Sequence, residues 1–248
     1  MDIQKYLERF NAPSPVEISL PFLTELQRQH LHHIPFENLD VIRQVPIYLN
    51  VQSIFNKIVQ AKRGGYCYEL NGLFQTLLTL LGYDAHLVAA TVLRPNGQWA
   101  KADTHATIVV YLDQPYLVDV GFGAATPRSP IPLDGSERID INGTYKLMQA
   151  SEQTFDLIQE NETGSRTLYR FNSAKKNLVD FHEGCVFNQV DKESSFTHHD
   201  IVSCAIDTGR ITLTNHTLTV VENGVHTISE LSAEDKIHVL QTVFKLYV

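Results

Sequence analysis

Three side chains of this sequence are of the types that together form a thiol nucleophile, its base and the acid that orients the base: Cys67, His105 and Asp119. A thiol attacks a carbonyl group efficiently only as the thiolate, so it needs a base beside it. The base in turn needs a partner that fixes its ring. Because the chain has 3 cysteines and 11 histidines, position must decide which of them take part.

Cys67 stands at the predicted start of a helix. Gly64 and Gly65 precede it, and apolar residues then recur at three- and four-residue steps up to Gly82, a helix C-cap. The recurring residues are Leu70, Leu73, Phe74, Leu77, Leu78 and Leu81. A thiol on the inward face of the first turn feels the positive end of the helix dipole and unpaired amide N–H groups, which favour the thiolate. The position equally fits a small buried cysteine that fills a gap in the core.

His105 and Asp119 fall on neighbouring predicted strands, 104–112 and 115–120. If a three-residue loop at 112–114 joins them, antiparallel pairing puts Gly121 opposite His105, and Asp119 becomes its diagonal neighbour on the same face. A two-residue loop would put the two side chains on opposite faces. A buried aspartate needs a partner, and imidazole can donate a proton to it. A core histidine and a turn or capping aspartate are the alternatives.

Arg63, just before the glycine pair, is predicted to be buried if that turn is tight. A buried guanidinium needs carboxylate partners. Glu37 and Asp40, in a predicted turn at 34–40, are the candidates. An exposed Arg63 is the alternative.

The composition of the chain limits the classes of protein to which it can belong. The chain has 248 residues, 43% hydrophobic and 19% charged, typical of a globular protein with a substantial core. A formal charge of −8 argues against nucleic acid or an anionic membrane as the main partner. The N-terminus has no signal-peptide pattern, and the three cysteines have no metal-type spacing. We therefore expect reduced thiols and a cytoplasmic protein.

The hydrophobic pattern divides the chain into segments. Residues 1–83 are predicted to be helical, with helices near 3–10, 20–32, 51–61 and 67–81. From residue 85 the period becomes strand-like, and short strands with turn signals over about 85–172 indicate an antiparallel barrel or sandwich. Residues 173–199 are a partly helical connector. Four strands follow between 201 and 229, with turns at 215–216 and 223–224, and Ser232 caps a last helix.

Several motifs in order make the chain resemble the arylamine N-acetyltransferase family. They are PFENL at 35–39, RGGYCYELN at 63–71, His105, VDVGFG at 118–123, Ser195-Phe196 and GRITL at 209–213. The resemblance implies an α+β fold with a helical bundle (1–83), an antiparallel β-barrel with connector (84–190) and a C-terminal α/β lid (191–248). It also implies acetyl-CoA as donor, a Cys67–His105–Asp119 triad, and ping-pong acetylation of an aromatic amine or hydrazine. The chain is shorter than many members of the family, and this affects the expected size of the lid and the CoA contacts that the lid would make.

The resemblance also assigns residues around the triad. Phe36, Tyr68 and Phe122 match the acceptor pocket, with ordinary core packing as the alternative. Gly121 and Gly123 would let the pantetheine or pyrophosphate approach the backbone closely, unless they only form a bend. Trp99, on a hairpin nearby, is a candidate CoA contact. The histidine clusters at 30–33 and 198–199 lack a metal-site pattern, so we expect no metal.

Three other functions fit some of the same residues. A papain- or transglutaminase-like hydrolase uses the same Cys…His…Asp order, although the turn at 121–123 would then have no obvious role. An amide synthase that closes a macrolactam shares the triad. A binding module with a vestigial triad is the non-catalytic alternative, against which the presence of all three polar residues argues. The sequence does not define the oligomeric state.

Overall fold

The computed structural model of the chain describes residues 1–12, 18–162 and 164–247. Its α-helices are α1 (Ile3–Arg9), α2 (Leu20–His33), α3 (Leu39–Ile42), α4 (Val51–Phe55), α5 (Cys67–Leu81), α6 (His182–Val190) and α7 (Ala233–Thr242). Its strands are β1 (Phe36–Glu37), β2 (Asp84–Val92), β3 (His105–Tyr111), β4 (Pro115–Val118), β5 (Ile131–Pro132), β6 (Arg138–Asp140), β7 (Gly143–Ser151), β8 (Thr154–Asn161), β9 (Gly164–Asn172), β10 (Ile201–Ile206), β11 (Gly209–Thr214), β12 (Thr217–Glu222) and β13 (Val225–Glu230).

Helix α5 is the centre of the N-terminal part. Its apolar face is buried, apart from the partly buried Leu81 at its end, and the helix packs against α4, β2 and β3. The helix begins with a capping box in which the Glu69 side chain accepts from the Tyr66 N–H. It ends at Gly82, whose φ of 101° is the left-handed conformation that glycine adopts most easily. The predicted limits of this helix are confirmed.

Eight strands form one antiparallel sheet in the order β5-β4-β3-β2-β9-β8-β7-β6. The sheet curls far enough for β5 to contact β7, so it is a nearly closed barrel, as predicted. Its interior is apolar and includes Val88, Val109, Leu117 and Leu157. In the β3–β4 pair Tyr111 lies opposite Pro115. The connection is therefore the three-residue loop on which the His105–Asp119 prediction depends.

The second sheet has the order β1-β10-β11-β12-β13. The two predicted turns are confirmed: Thr214 pairs with Thr217, and Glu222 pairs with Val225. Helix α7, capped by Ser232, contributes Leu240 to the apolar core on this sheet. The predicted α+β class is correct, whereas the division at 83/84 and 190/191 remains a prediction.

Three local predictions were wrong or incomplete. Residues 36–37 are a strand, not part of a turn, because Phe36 pairs with Ser203 of β10. The helix predicted over 51–61 is α4 followed by a π-helical turn, Asn56–Gln60. Strands β5, β6 and β7 were not predicted, and β4 ends at Val118, two residues before the predicted end. The connector at 173–199 is partly helical, as expected.

Candidate active site

Cys67 is the first residue of α5, where the unpaired amides of the first turn lie. Its side chain is buried, and its Sγ lies 3.9 Å from the Thr104 carbonyl oxygen. Tyr66 and Glu69 fix the backbone on either side through the capping box. The thiol is therefore held at a rigid helix start.

His105 begins β3 and joins the thiol to the acid. Its Nε2 lies 2.7 Å from Asp119 Oδ2, and both side chains are buried. Burial alone would lower the pKa of His105, but the Asp119 charge, the hydrogen bond to Asp119 and a hydrogen bond to Cys67 together raise it to about 10. Since Nε2 is occupied by Asp119, Nδ1 is the nitrogen left for the thiol. The geometry thus supports a charged imidazolium beside Cys67.

Asp119 receives four hydrogen bonds although its side chain is fully buried. Oδ1 accepts from Asn71 Nδ2 at 2.9 Å and from the Gly121 N–H at 2.8 Å. Oδ2 accepts from the Tyr169 hydroxyl at 2.9 Å as well as from His105. Burial raises the pKa of Asp119, and its interactions with His105, Asn71 and Gly121 outweigh that effect and lower it. The carboxylate is therefore ionised and fixed in position.

Asn71 and Tyr169 are site residues that sequence reasoning missed. Asn71 Nδ2 also donates to the Ala106 carbonyl at 2.7 Å, and its Oδ1 accepts from the Val120 N–H at 2.9 Å. It therefore ties α5 to β3 and to the segment that follows β4. Its place four residues after Cys67, on the same helix face, was a signal that could have identified it. Tyr169 had no comparable signal.

A cavity of about 160 Å³ opens onto Cys67 and His105. Three other residues predicted for the site line it: Phe36, Gly121 and Phe122. The remaining lining residues are Val92, Arg94, Ala100, Thr104, Phe187, Asn188, Ser194, Ser195 and Phe196. Four phenylalanine rings are therefore part of its walls, and such rings suit a flat apolar ligand.

Residue 121 must be a glycine because its backbone lies directly against that of the nucleophile, Cys67. A Cβ atom there would lie 2.8 Å from Cys67 Cα and 2.8 Å from Asn71 Nδ2. Gly123 has a φ of 79°, and its nearest side chain is Phe36. It lines a smaller cavity of about 20 Å³ beyond Phe36. The structure therefore brings Gly121, but not Gly123, to the Cys67 cavity.

Tyr68 and Trp99 do not line the Cys67 cavity. The Tyr68 ring is fully buried, 5.3 Å from the Tyr66 ring and 5.6 Å from the Phe181 ring, because its position on α5 points it into the core. Trp99 is 41% exposed, and the Arg170 guanidinium covers its ring at 4.9 Å. The geometry thus favours the core-packing alternative for Tyr68 and gives no direct support to a CoA contact at Trp99.

Arg63 donates to Glu37 Oε1 and Asp40 Oδ1, each at 2.8 Å. The sequence did not identify a second cation, Lys57, whose Nζ lies 2.8 Å from Asp40 Oδ2 and 2.9 Å from Glu69 Oε1. Two cations and three carboxylates therefore meet at the turn before Cys67. Burial lowers the pKa of Lys57, but the three carboxylates outweigh it and hold the pKa well above its ordinary value.

Within residues 1–12, 18–162 and 164–247, no group of three or more histidine, cysteine or acidic side chains is arranged to hold a metal ion. In the same part of the chain, none of the helices has the length and apolarity needed to span a membrane.

Comparison with known proteins gives consistent matches. A family model described as N-acetyltransferase matches residues 19–248. An arylamine N-acetyltransferase of Escherichia coli (strain K12) is 32% identical over 237 residues, covering 94% of this chain and 83% of the relative. One of Mycolicibacterium smegmatis is 31% identical over 231 residues, covering 90% of this chain and 84% of the relative.

Solved structures match over the same length. The Mycobacterium marinum arylamine N-acetyltransferase in complex with CoA has a TM-score of 0.91 at 30% identity, covering 98% of this chain and 92% of that one. Arylamine N-acetyltransferase C from Bacillus anthracis has a TM-score of 0.93 at 25% identity, covering 99% and 98%.

Proposed function

This chain belongs to the arylamine N-acetyltransferase family, and we propose that Cys67, His105 and Asp119 are the nucleophile, base and orienting acid of its reaction. The enzyme transfers acetyl groups from acetyl-CoA to arylamines. The observation that carries the residue assignment is the 2.7 Å hydrogen bond between His105 and the fully buried Asp119, together with a cavity that both His105 and Cys67 line.

In the first half-reaction His105 Nδ1 takes the thiol proton and forms a thiolate–imidazolium pair with Cys67. Asp119 holds the ring and balances its positive charge. The thiolate forms a bond to the acetyl carbon, the bond from that carbon to the CoA sulfur breaks, and the proton on His105 goes to the departing thiolate. Exchange of one thioester for another changes little bond energy, so the acetyl group can remain on Cys67. The first-turn amide of Cys67 is placed to stabilise the oxyanion.

In the second half-reaction an aromatic amine or hydrazine enters the same cavity. Its nitrogen attacks the acetyl carbon, His105 removes the nitrogen's proton, and the Cys67 thiolate leaves as the amide forms. This is a ping-pong cycle. Phe36 and Phe122 supply aromatic walls for the acceptor and help to exclude water, which would hydrolyse the acetyl-enzyme.

The nature of the partners follows from the same site. A small aromatic amine or hydrazine fits the cavity, whereas the formal charge of −8 disfavours nucleic acid and anionic membranes. Three free cysteines, Cys67, Cys185 and Cys204, suit a reducing cytoplasm. A thiol hydrolase and a macrolactam-forming amide synthase would use the same three residues, so product analysis must separate them.

The test is acetylation of the enzyme itself. Incubation with acetyl-CoA in the absence of an amine should add one acetyl group to the intact mass, located on Cys67 by peptide mapping. The Cys67→Ser variant is the control and should remain unmodified. Addition of aniline should then discharge the adduct and yield acetanilide. A parent enzyme that gains no acetyl group would favour the hydrolase, and a Cys67→Ser variant as active as the parent would favour the binding module.

A further inference from the structure

Strand β13 lies at the end of the second sheet, with β12 as its neighbour. All of its residues are exposed, and two of them are large and apolar: Val225 at 67% and Ile228 at 66%. The strand contains no proline, lysine or arginine, and it pairs with β12 along its whole length without a bulge. Prolines, lysines and bulges are the usual means by which proteins keep an open sheet edge from pairing. The edge of β13 therefore lacks the common protection.

The backbone groups of β13 alternate between those that face β12 and those that face away. Glu222 pairs with Val225 across the turn at 223–224, whose two residues have positive φ. Residues that flank such a two-residue turn form a hydrogen-bonded pair. In step with this alternation, the Leu231 N–H donates to the His216 carbonyl at 2.8 Å. The odd-numbered residues of β13 thus bond to β12, and the N–H and C=O groups of the even-numbered residues point outward.

The three outward-facing residues, His226, Ile228 and Glu230, are self-complementary. Antiparallel pairing with a second copy of β13, about a twofold axis at Ile228, brings each outward-facing residue opposite another one. Ile228 then faces Ile228 of the second copy, and His226 faces Glu230 of the second copy. An apolar pair is therefore flanked on both sides by an imidazole–carboxylate pair, and no like charges lie opposite each other. A register shifted by two residues would instead put Ile228 opposite His226 or Glu230.

We propose that β13 is a dimerisation edge, through which two copies of this chain pair antiparallel about an axis at Ile228. The two five-stranded sheets then become one continuous sheet. A twofold interface of this kind is closed, because each copy uses its single open β13 edge in it. Pairing of one short strand covers less than the roughly 800 Å² per partner of a standard stable interface. The dimer should therefore be weak, with a Kd of roughly 1–100 μM.

The test is sedimentation velocity of the full chain from about 1 to 300 μM, which spans the expected Kd. The parent should pass from monomer to dimer. Ile228→Lys brings two like charges together at the axis and should raise the Kd by roughly tenfold or more. Val225→Lys is the matched control: it adds the same charge at nearly the same exposure, 67% against 66%, but away from the axis. It should dimerise as the parent does.

A mixture of two variants gives a result that misfolding cannot imitate. Ile228→Lys and Ile228→Glu should each remain monomeric alone, because like charges then meet at the axis. Mixed in equal amounts they should form a heterodimer, because opposite charges meet there instead. Unchanged circular dichroism shows that both variants are folded.

Two outcomes would overturn the proposal. A parent that stays monomeric over the whole concentration range would leave the edge without a second copy of the chain. A dimer that persists in Ile228→Lys, or a mixture that gives no heterodimer, would show that residue 228 does not lie at a twofold axis.

Discussion

The Tyr169 hydroxyl donates a hydrogen bond to Asp119 Oδ2 at 2.9 Å. Tyr169 lies on β9 and Asp119 directly follows β4, and the strands β3 and β2 separate β4 from β9 in the sheet. The contact exists because the sheet curls, so side chains from distant strands meet inside it. Asn71 holds the other carboxylate oxygen from α5. The orienting acid is thus fixed by the helix on one side and by the barrel on the other.

Removal of the Tyr169 hydroxyl should therefore slow catalysis. In Tyr169→Phe, one buried hydrogen bond to the carboxylate is lost, and kcat should fall by roughly tenfold or more with little change in KM. Tyr116→Phe is a suitable control, because Tyr116 is a buried barrel tyrosine whose hydroxyl contacts Asp113. Steady-state kinetics with aniline and acetyl-CoA measure both. Equal effects of the two substitutions would show that Tyr169 only stabilises the fold.

Replacement of the acid itself should have a larger effect. Asp119→Asn removes the charge that raises the pKa of His105. Burial then dominates and lowers that pKa, so the imidazolium is lost at a lower pH. We expect kcat to fall by roughly a thousandfold or more, and the alkaline limb of the rate profile to shift to lower pH. The apparent pKa values that define the limbs of this profile belong to the Cys67–His105 pair as a coupled unit and not to either residue alone. Near-parental turnover would remove Asp119 from the triad.

Gly121 offers a test of the close approach at the nucleophile. The methyl group of Gly121→Ala would lie 2.8 Å from Cys67 Cα, and backbone atoms cannot move aside cheaply. We expect kcat to fall by roughly a hundredfold through misplacement of the thiol. Gly123→Ala is the comparison: its methyl would meet Phe36 at an ordinary 3.5 Å, but its φ of 79° is strained. That variant should lose stability while the acetylation rate of Cys67 stays near the parental value.

Local patterns in the sequence were sufficient for much of the site. The glycine pair and apolar period located Cys67 at a helix start. The shared face of His105 and Asp119 was predicted only on the condition of a three-residue loop at 112–114, which the pairing of Tyr111 with Pro115 shows. Turn residues defined the C-terminal hairpins, where Asn215 and Asn223 adopt positive φ. These features depend on residues close together in the chain.

Features that depend on distant residues could not be predicted in the same way. Strand β1 has only two residues, and it is a strand because Ser203 lies opposite Phe36. Tyr169 reaches Asp119 only through the curl of the barrel. Tyr68 is adjacent to Cys67 in sequence, yet the helical step of about 100° per residue turns it towards the core. Lys57 meets Glu69 through packing of α4 and its π-helical turn on α5.

Lys57 should be important for stability. Its Nζ contacts Asp40 and Glu69, and Glu37 Oε1 lies 3.8 Å away. Lys57→Met would leave Glu37 and Asp40 with Arg63 and would remove the cation that Glu69 contacts. Breaking such a buried pair costs about 3–5 kcal/mol. Urea unfolding of the variant at pH 7 measures the loss. Lys5→Met, which removes an exposed i,i+3 pair with Asp2, is the control and should change stability by less than about 1 kcal/mol. A similar small change at Lys57 would contradict the prediction.

His30 should make the fold sensitive to acid. Its ring is fully buried, its Nε2 lies 2.9 Å from the Tyr6 hydroxyl, and burial, with the Arg9 charge, lowers its pKa to about 3. Because the unfolded value is about 6.5, the unfolded chain binds one more proton between pH 6.5 and 3. The free energy of unfolding therefore decreases by about 1.4 kcal/mol for each unit by which the pH is lowered in that range, or by about 2 kcal/mol from pH 6.5 to pH 5.

The His30→Gln variant should lose this part of the pH dependence, whatever its stability at pH 7.5. The raised pKa of His105 acts in the opposite sense, because it stabilises the fold fully below pH 6.5 and less towards pH 10, but it is common to both proteins and cancels in the difference. Urea midpoints at pH 7.5, 6.5 and 5 provide the comparison, with His238→Gln, on the exposed face of α7, as the control. If His30→Gln and the parent lose stability equally between pH 6.5 and 5, then a group other than His30 takes up the proton on unfolding.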